Sequence, residues 1–173
     1  MVHPYNDPRI IAGQGTAALE LLDEVDDLDT VMTPVGGGGL LSGTCIAVSE
    51  SSSTTQVIGA EPLEADDAFR SLETGVMQPS ISPKSIADGL LTSLGDLTFP
   101  ILQERCSGIV TVPEQMIVVA MRLVWERMKV IIEPSAAVPV AALLDKRDKI
   151  PGKRIGVIFS GGNVDLGRLP WMS

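Results

Sequence analysis

The sequence is poor in cysteine and histidine, and each shortage argues against a class of protein. Cys45 and Cys106 are its only cysteines and do not form a CxxC pair, so we expect reduced thiols rather than a disulfide framework or a zinc site. His3 is the only histidine and lies beside Pro4 near the start of the chain. A packed or solvated imidazole is the ordinary role there, so a Ser-His-Asp or Cys-His hydrolase is not expected.

Long apolar runs and an excess of positive charge are also missing. No stretch approaches the roughly 18 apolar residues of a membrane span, and the first residues lack the charged-then-apolar pattern of a signal peptide. The chain has 13 lysines and arginines against 22 aspartates and glutamates, a net charge of -9, and its basic residues are interleaved with acids. We therefore expect a cytoplasmic protein that binds small molecules, with no nucleic-acid or membrane partner.

The residues that are present predict one α/β domain. The chain has 173 residues, 45% of them hydrophobic, which is enough for one ordinary core. Four nearly continuous apolar runs are typical of strands buried on both faces, and the segments between them have helical periodicity. The prediction is an open, mostly parallel, twisted sheet with helices on both faces. The predicted strands are 30–35, 56–61, 108–112 and 154–160, and the predicted helices are 16–25, 40–49, 65–72, 113–129 and 135–144.

Four consecutive glycines, 36–39, lie between the first predicted strand and the helix that follows it. Backbone N–H groups can converge in such a segment, and the helix amino terminus adds partial positive charge, so a phosphate is the natural ligand. The nucleotide motifs do not fit, because GxxxxG at Gly38 to Gly43 is followed by Thr44 instead of lysine, and no GxGxxG is completed. A tight strand-to-helix turn without a ligand remains the alternative.

A group of acidic residues begins at the end of the second predicted strand, in the segment EPLEADD at 61–67. Glu61 lies at the end of the strand, and Asp67 lies in the first turn of the next helix. Such carboxylates can bind a hard divalent cation together with a backbone carbonyl. They can equally stabilise a helix amino terminus without any metal. The spacing leaves both interpretations open.

Polar residues at other segment ends are expected near the same place, because ligands of parallel sheets bind outside the carboxyl ends of the strands. Ser160 ends the last predicted strand and can donate a hydrogen bond to a ring nitrogen, or it can be a plain turn residue. Glu133 precedes a helix and can cap it or face the cleft. Ser135, two residues later, is expected to act as a cap.

These motifs together resemble the serine racemase and serine/threonine dehydratase family of fold-type II pyridoxal-phosphate enzymes. The resemblance extends over essentially the whole chain. It rests, in order along the chain, on VHP at 2–4, IAGQGT at 11–16, PVGGGGL at 34–40, EP at 61–62 with ADD at 65–67, IADG at 86–89, LVWERMK at 123–129, IEPSA at 132–136 and SGGNVD at 160–165.

The resemblance implies pyridoxal 5'-phosphate as cofactor and a small amino acid as substrate. The implied reaction is β-elimination of water from L-serine or L-threonine to a keto acid and ammonia, or racemisation of serine, and the sequence leaves the two open. A neutral hydroxyl at the cofactor's ring nitrogen suits both. The implied cofactor residues are Gly36, Gly37, Gly38 and Gly39 at the phosphate, Ser160 at the pyridine nitrogen and Glu133 close by.

The resemblance also implies a divalent cation, Mg²⁺ or Ca²⁺. Its ligands would be Glu61, the carbonyl of Ala65, and Asp67. A homodimer is expected as well.

The catalytic lysine of the family is not expected in this chain. In the family it belongs to an earlier Ser-Phe-Lys-type segment, and none of the lysines here has that context. Residues 1–173 are therefore expected to be the carboxy-terminal part of the large, cofactor-binding domain, with the small domain and the lysine segment absent. The alternative is a non-catalytic phosphate-binding or assembly fragment. The lysines are Lys84, Lys129, Lys146, Lys149 and Lys153.

Overall fold

Four parallel strands form the centre of the computed structural model, which describes residues 2–172. Their spatial order is β3-β2-β1-β4, and every neighbouring pair is parallel. This confirms the predicted parallel α/β sheet. The expected domain range includes Met1 and Ser173, which lie outside the described residues. The strands are β1 (Thr30–Pro34), β2 (Gln56–Pro62), β3 (Gly108–Val112) and β4 (Ile155–Val157).

Helices cover both faces of the sheet, as predicted. They are α1 (Pro8–Glu24), α2 (Gly39–Ser51), α3 (Asp67–Thr74), α4 (Thr98–Arg105), α5 (Glu114–Met128) and α6 (Pro134–Asp145). Short 3-10 turns lie at Leu63–Ala65, Asp88–Leu90 and Arg147–Lys149. Among residues 2–172, no helix combines the length and the apolar character that crossing a membrane requires.

The core is divided by the sheet into two clusters. Successive strand residues point to opposite faces, so Val31 and Val57 pack with α1, α2, α3 and α4, whereas Met32 and Ile58 pack with α5 and α6. All five residues of β1 are buried. Burial on both faces explains why the strands are nearly continuously apolar in sequence.

Most elements lie within two residues of the predicted bounds, and three differ by more. Helix α1 begins at Pro8 instead of residue 16, because the Asp7 carboxylate accepts the Arg9 N–H at 2.9 Å and proline suits the first helical position. Helix α4 was not predicted, since Pro100 and a mixed polarity obscure its short pattern. Strand β4 ends at Val157 instead of residue 160, because the chain leaves the sheet to bond with the segment before α6.

The strand order determines where a ligand can bind. The chain runs from β1 outward to β2 and β3, then returns to form β4 on the other side of β1. Ligands of open α/β sheets bind outside the carboxyl ends of the strands at such a reversal. The segment after β1 contains the four glycines, and the segment after β4 contains Ser160.

Candidate functional site

The four glycines form a backbone cup between β1 and α2. Gly36, Gly37 and Gly38 connect the two elements, and Gly39 is the first residue of the helix. Gly38 has φ +88°, a left-handed conformation that a residue with a side chain adopts only with strain. Apart from the regular hydrogen bonds within α2, no backbone carbonyl among residues 2–172 accepts an N–H from these glycines. Free donors at a helix amino terminus favour an anion.

Close packing also explains why side chains are excluded from the cup. A Cβ at Gly36 would lie 2.9 Å from the Leu90 Cα, and a Cβ at Gly37 would clash with the Tyr5 ring. The Thr98 hydroxyl fixes the outer side of the cup by donating to the Gly37 carbonyl at 2.8 Å. The cup is therefore a tight turn and an array of free donors at once.

The residues predicted for the cofactor meet around one cavity. Its volume is about 390 Å³, and its lining includes all four glycines of the cup, Glu133 and Ser160. The glycines are buried, Glu133 is half-buried, and Ser160 is exposed at the rim. The fold thus gathers residues that are up to 124 positions apart, from Gly36 to Ser160, at the switch point of the sheet.

Glu133 holds the segment that follows Ser160. Its Oε2 accepts the Asn163 N–H at 3.0 Å, and its own N–H donates to the Gly161 carbonyl at 3.1 Å. A Cβ at Gly161 would lie only 3.0 Å from the Glu133 Oε1. Glu133 therefore occupies the N-cap position of α6 but directs its carboxylate to the rim of the cavity instead of capping the helix.

The capping role expected for Ser135 is wrong. Ser135 is buried, and its hydroxyl accepts the Gly89 N–H at 3.1 Å, which ties α6 to the loop before α4. Other residues that line the cavity do not lie at strand ends, and they were not predicted from the sequence. They are Pro4, Tyr5, Ile10, Gln14, Gly89, Leu90 and Thr92. The only sequence signal for them is the family-like VHP, IAGQGT and IADG segments, which contain three of these residues, Pro4, Gln14 and Gly89.

Glu61 performs the capping role that the sequence left open. The side chain is fully buried, Oε1 accepts the Ala68 N–H at 3.0 Å, and Oε2 accepts the Phe69 N–H at 2.9 Å. These donors lie in the first turn of α3. Burial raises the pKa of Glu61 to about 8, although both hydrogen bonds act in the opposite direction.

Asp67 has no such partners. It is fully buried, and neither carboxylate oxygen has a hydrogen-bond partner among the described residues. Burial raises the pKa of Asp67 to about 6. An unpaired buried carboxylate fits a cation, but nowhere in residues 2–172 do three or more His, Cys, Asp or Glu side chains gather as a metal site. The predicted set has only Glu61, Asp67 and the carbonyl of Ala65.

No lysine lines the cavity. All five lysines of the chain lie within the described residues, and none is among the residues around the cup. The arrangement can therefore bind an anionic group and present a hydroxyl, but among the described residues no lysine amine is placed there.

Comparison with known proteins agrees with this geometry. Residues 1–161 match the family described as "Pyridoxal-phosphate dependent enzyme". The chain is 52% identical over 170 residues to β-hydroxyaspartate dehydratase of Paracoccus denitrificans, covering 98% of this chain and 54% of that protein. It is 54% identical to serine racemase of Dictyostelium discoideum, covering 96% of this chain and 52% of that protein.

A solved structure shows the same likeness. The T.th. threonine deaminase superposes with a TM-score of 0.91 at 48% identity, over 94% of this chain and 61% of that one. The chain spans about half the length of the curated relatives named here. Family match, identity and superposition all agree, and the chain belongs to the pyridoxal-phosphate dependent enzymes.

Proposed function

We propose that this chain is the carboxy-terminal part of the large domain of a pyridoxal-phosphate enzyme that acts on small hydroxy amino acids. The reaction would be β-elimination of water from L-serine or L-threonine to a keto acid and ammonia, or racemisation of serine. The observation that carries the proposal is the cavity at the switch point, where the glycine cup, Glu133 and Ser160 meet.

The residues of the cavity fit the cofactor. The N–H groups of Gly36, Gly37, Gly38 and Gly39 would hold its phosphate, because they lie at the positive end of α2 and have no backbone acceptor outside the helix ladder in the part of the chain that the structure describes. Ser160 would donate to the pyridine nitrogen, and Glu133 would keep the Ser160 segment in place through the Asn163 N–H. When bound, pyridoxal phosphate supplies an electron sink for charge that develops on the substrate's α-carbon.

The neutral hydroxyl of Ser160 favours the proposed reactions. A serine cannot protonate the ring nitrogen as a carboxylic acid would, so the electron pull of the ring stays moderate. Moderate electron withdrawal suits elimination and racemisation. The relatives agree, since β-hydroxyaspartate, serine and threonine, which their names contain, are all β-hydroxy amino acids.

The nucleophile would come from elsewhere in a longer protein. We propose that the small domain and the lysine segment precede residue 2 in the complete enzyme, which would be a cytoplasmic homodimer. The cavity supports this, because none of the five lysines lines it. The same observation favours a second candidate, a phosphate-binding or assembly fragment that performs no chemistry.

We also propose that Glu61, the Ala65 carbonyl and Asp67 bind Mg²⁺ or Ca²⁺. The supporting observation is Asp67, whose buried carboxylate has no protein partner among the described residues. Glu61 can take part as well, because each carboxylate oxygen keeps a lone pair after accepting one N–H. The ion would offset the cost of burying two carboxylates side by side.

Borohydride reduction of the cofactor-loaded, full-length protein separates the two candidate functions. The enzyme proposal predicts that one lysine outside this chain is modified. It also predicts that a keto acid forms from L-serine or L-threonine, or that D-serine forms from L-serine. Ser160→Ala should abolish most of this turnover while leaving thermal stability nearly unchanged, because the side chain is exposed. A loaded full-length protein that is inactive on both amino acids would contradict the enzyme proposal and support the fragment.

A further inference from the structure

The glycine cup is enclosed from two sides by segments that are far apart in sequence. On one side, the Tyr5 ring packs so closely on Gly37 that a Cβ there would clash with it, and a Cβ at Gly39 would lie 2.9 Å from the Tyr5 Cβ. On the other side, the Thr98 hydroxyl donates to the Gly37 carbonyl at 2.8 Å, and a Cβ at Gly38 would lie 2.9 Å from the Thr98 Cβ. The conformation of the cup therefore depends on where Tyr5 and Thr98 lie.

The Asn6 side chain connects these two segments. Its Oδ1 accepts the Leu97 N–H at 2.9 Å, and its Nδ2 donates to the Asp96 carboxylate. A Cβ at Gly95 would clash with the Asn6 side chain, so a glycine at this position lets the segments approach each other. Asn6 thus joins the start of the chain to the loop before α4, about ninety residues later.

The contacts form a closed ring that includes the cup. Asn6 directly follows Tyr5 in the chain, and Leu97 directly precedes Thr98. Since Tyr5 and Thr98 both touch Gly37, the ring returns to the cup. Loss of the Asn6 hydrogen bonds would open the ring and let Tyr5 and Thr98 move apart.

Both segments that Asn6 joins are held in place by further hydrogen bonds. The His3 Nδ1 accepts the Asn6 N–H at 3.0 Å, and the Asp7 carboxylate caps the first turn of α1. In the loop before α4, the Thr98 hydroxyl accepts the Gly95 N–H at 2.9 Å. A connection between two anchored segments can therefore fix their separation, and with it the shape of the cup.

The bond from Thr98 also determines the direction of one donor of the cup. The Gly37 carbonyl and the Gly38 N–H belong to the same peptide group, which is trans. In a trans peptide group the carbonyl and the N–H point in opposite directions. Because the Gly37 carbonyl points to Thr98, the Gly38 N–H points away from it and is available to a ligand. Keeping Thr98 in place keeps this donor oriented.

The hydrogen bonds of Asn6 lie outside the core of the protein. Neither Asn6 nor Asp96 belongs to a core cluster, and Asn6 is half-buried whereas Asp96 is exposed. Hydrogen bonds of accessible groups add little to folding stability, because water competes for the same groups. A site that is rigid before binding loses less conformational freedom when its ligand arrives. The main effect of these bonds is therefore expected on ligand affinity.

We propose that Asn6 is a positioning residue of the cofactor site, whose two hydrogen bonds keep the glycine cup in the conformation that binds the phosphate of pyridoxal phosphate. The inference rests on the proposed function, since it takes the cup as the phosphate site. Asn6 does not line the cavity and acts through Tyr5 and Thr98.

The affinities for pyridoxal phosphate and for pyridoxal test the proposal, because the two ligands differ only in the phosphate. Both are titrated into the full-length protein after its cofactor has been removed. In Asn6→Asp, the new carboxylate still accepts the Leu97 N–H, but it cannot donate to Asp96 and is repelled by it. We expect the affinity for pyridoxal phosphate to fall roughly tenfold, about the worth of one hydrogen bond. The affinity for pyridoxal should stay the same.

Exchange of the two side chains is the matched control. Asp96→Asn alone keeps an acceptor for the Asn6 Nδ2 and should have little effect. Asn6→Asp combined with Asp96→Asn restores the hydrogen bond with donor and acceptor reversed, and should restore the affinity for pyridoxal phosphate. Asn6→Ser removes the connection without adding a charge and should show the same selective loss, so the test stands even if Asn6→Asp does not fold.

Three results would overturn the proposal. They are an unchanged affinity for pyridoxal phosphate in the Asn6 variants, equal losses for both ligands, and no recovery in the exchanged pair. A parent protein that binds pyridoxal phosphate no more tightly than pyridoxal would overturn both this proposal and the phosphate role of the cup. If the parent prefers pyridoxal phosphate and the Asn6 variants keep that preference, only the role of Asn6 is wrong.

Discussion

The carboxyl ends of β1 and β2 lie side by side in the sheet but bear opposite kinds of polar group. After β1, the glycine cup, Gly36–Gly39, lines an open cavity, and among the described residues its N–H groups have no backbone acceptor outside the helix ladder. At the end of β2 and the start of α3, the carboxylates of Glu61 and Asp67 are enclosed. Hydrogen-bond donors beside a cavity can bind a ligand that enters it. Enclosed acceptors must instead accept hydrogen bonds from the protein or bind an ion.

The two enclosed carboxylates also differ from each other in their hydrogen bonds. Glu61 accepts two N–H groups of α3, so it has a structural role whether or not an ion binds. Neither carboxylate oxygen of Asp67 has a hydrogen-bond partner among the described residues, so its place in the first turn of α3 is the only structural role that it has without an ion. Of the two, Asp67 is therefore the side chain whose replacement reports on a metal.

The largest effect is expected at the cup. Gly38→Val would force a branched residue into a conformation with φ +88° and place its Cβ 2.9 Å from Thr98. We expect a loss of about 1 to 3 kcal/mol in the free energy of unfolding from backbone strain. The cofactor's affinity should fall more than about a hundredfold, because at least two charge-assisted hydrogen bonds are lost. Urea unfolding and a cofactor titration measure the two losses separately.

Gly13→Ala is the matched control for that variant. Gly13 lies in α1, and a Cβ there would meet no other atom within 4 Å. Alanine should raise stability by about 0.5 to 1 kcal/mol, because glycine is the poorer helix former. Cofactor affinity should not change. If Gly38→Val loses stability but keeps the affinity of the parent protein, the cup is only a turn.

A smaller effect is expected at Glu61. Glu61→Ala leaves the N–H groups of Ala68 and Phe69 without an acceptor in a buried place, which should cost about 1 to 3 kcal/mol. Glu61→Gln keeps one accepting oxygen and should cost less. Both losses should appear in urea unfolding with a chelator present. Equal stability of the alanine variant and the parent protein would contradict the capping role.

The smallest effect is expected at Asp67 when no metal is present. Asp67→Asn removes a buried charge that has no partner among the described residues, so its cost in chelator should stay below about 1 kcal/mol. With Mg²⁺ or Ca²⁺ added, the thermal midpoint of the parent protein should rise, because an ion that binds only the folded state stabilises it. The midpoint of Asp67→Asn should rise far less. If both proteins respond alike, Asp67 is not a ligand.

Regular, strongly apolar segments were predictable from sequence, and contacts between distant segments were not. Strand β3 has the predicted bounds because Gly108 and Pro113 bound a short run of β-branched residues. The cup was predictable because its glycines are consecutive. In contrast, an acid in a first turn fits a cap and a metal ligand equally, so only the observed hydrogen bonds assign Glu61. The hydrogen bond from the Gly89 N–H to the Ser135 hydroxyl has no local signal, because the two residues are 46 positions apart and only the fold brings them together.

Phosphate binding by the cup is the central claim, and the amide resonances of the glycines test it most directly. The protein has 17 glycines, so ¹⁵N-glycine labelling yields a short spectrum in which the cup can be assigned. On titration with pyridoxal phosphate, the signals of Gly36, Gly37, Gly38 and Gly39 should shift and saturate together, while Gly75 and Gly152, which do not line the cavity, should stay in place. Saturable binding that leaves the four cup signals unmoved would contradict the account.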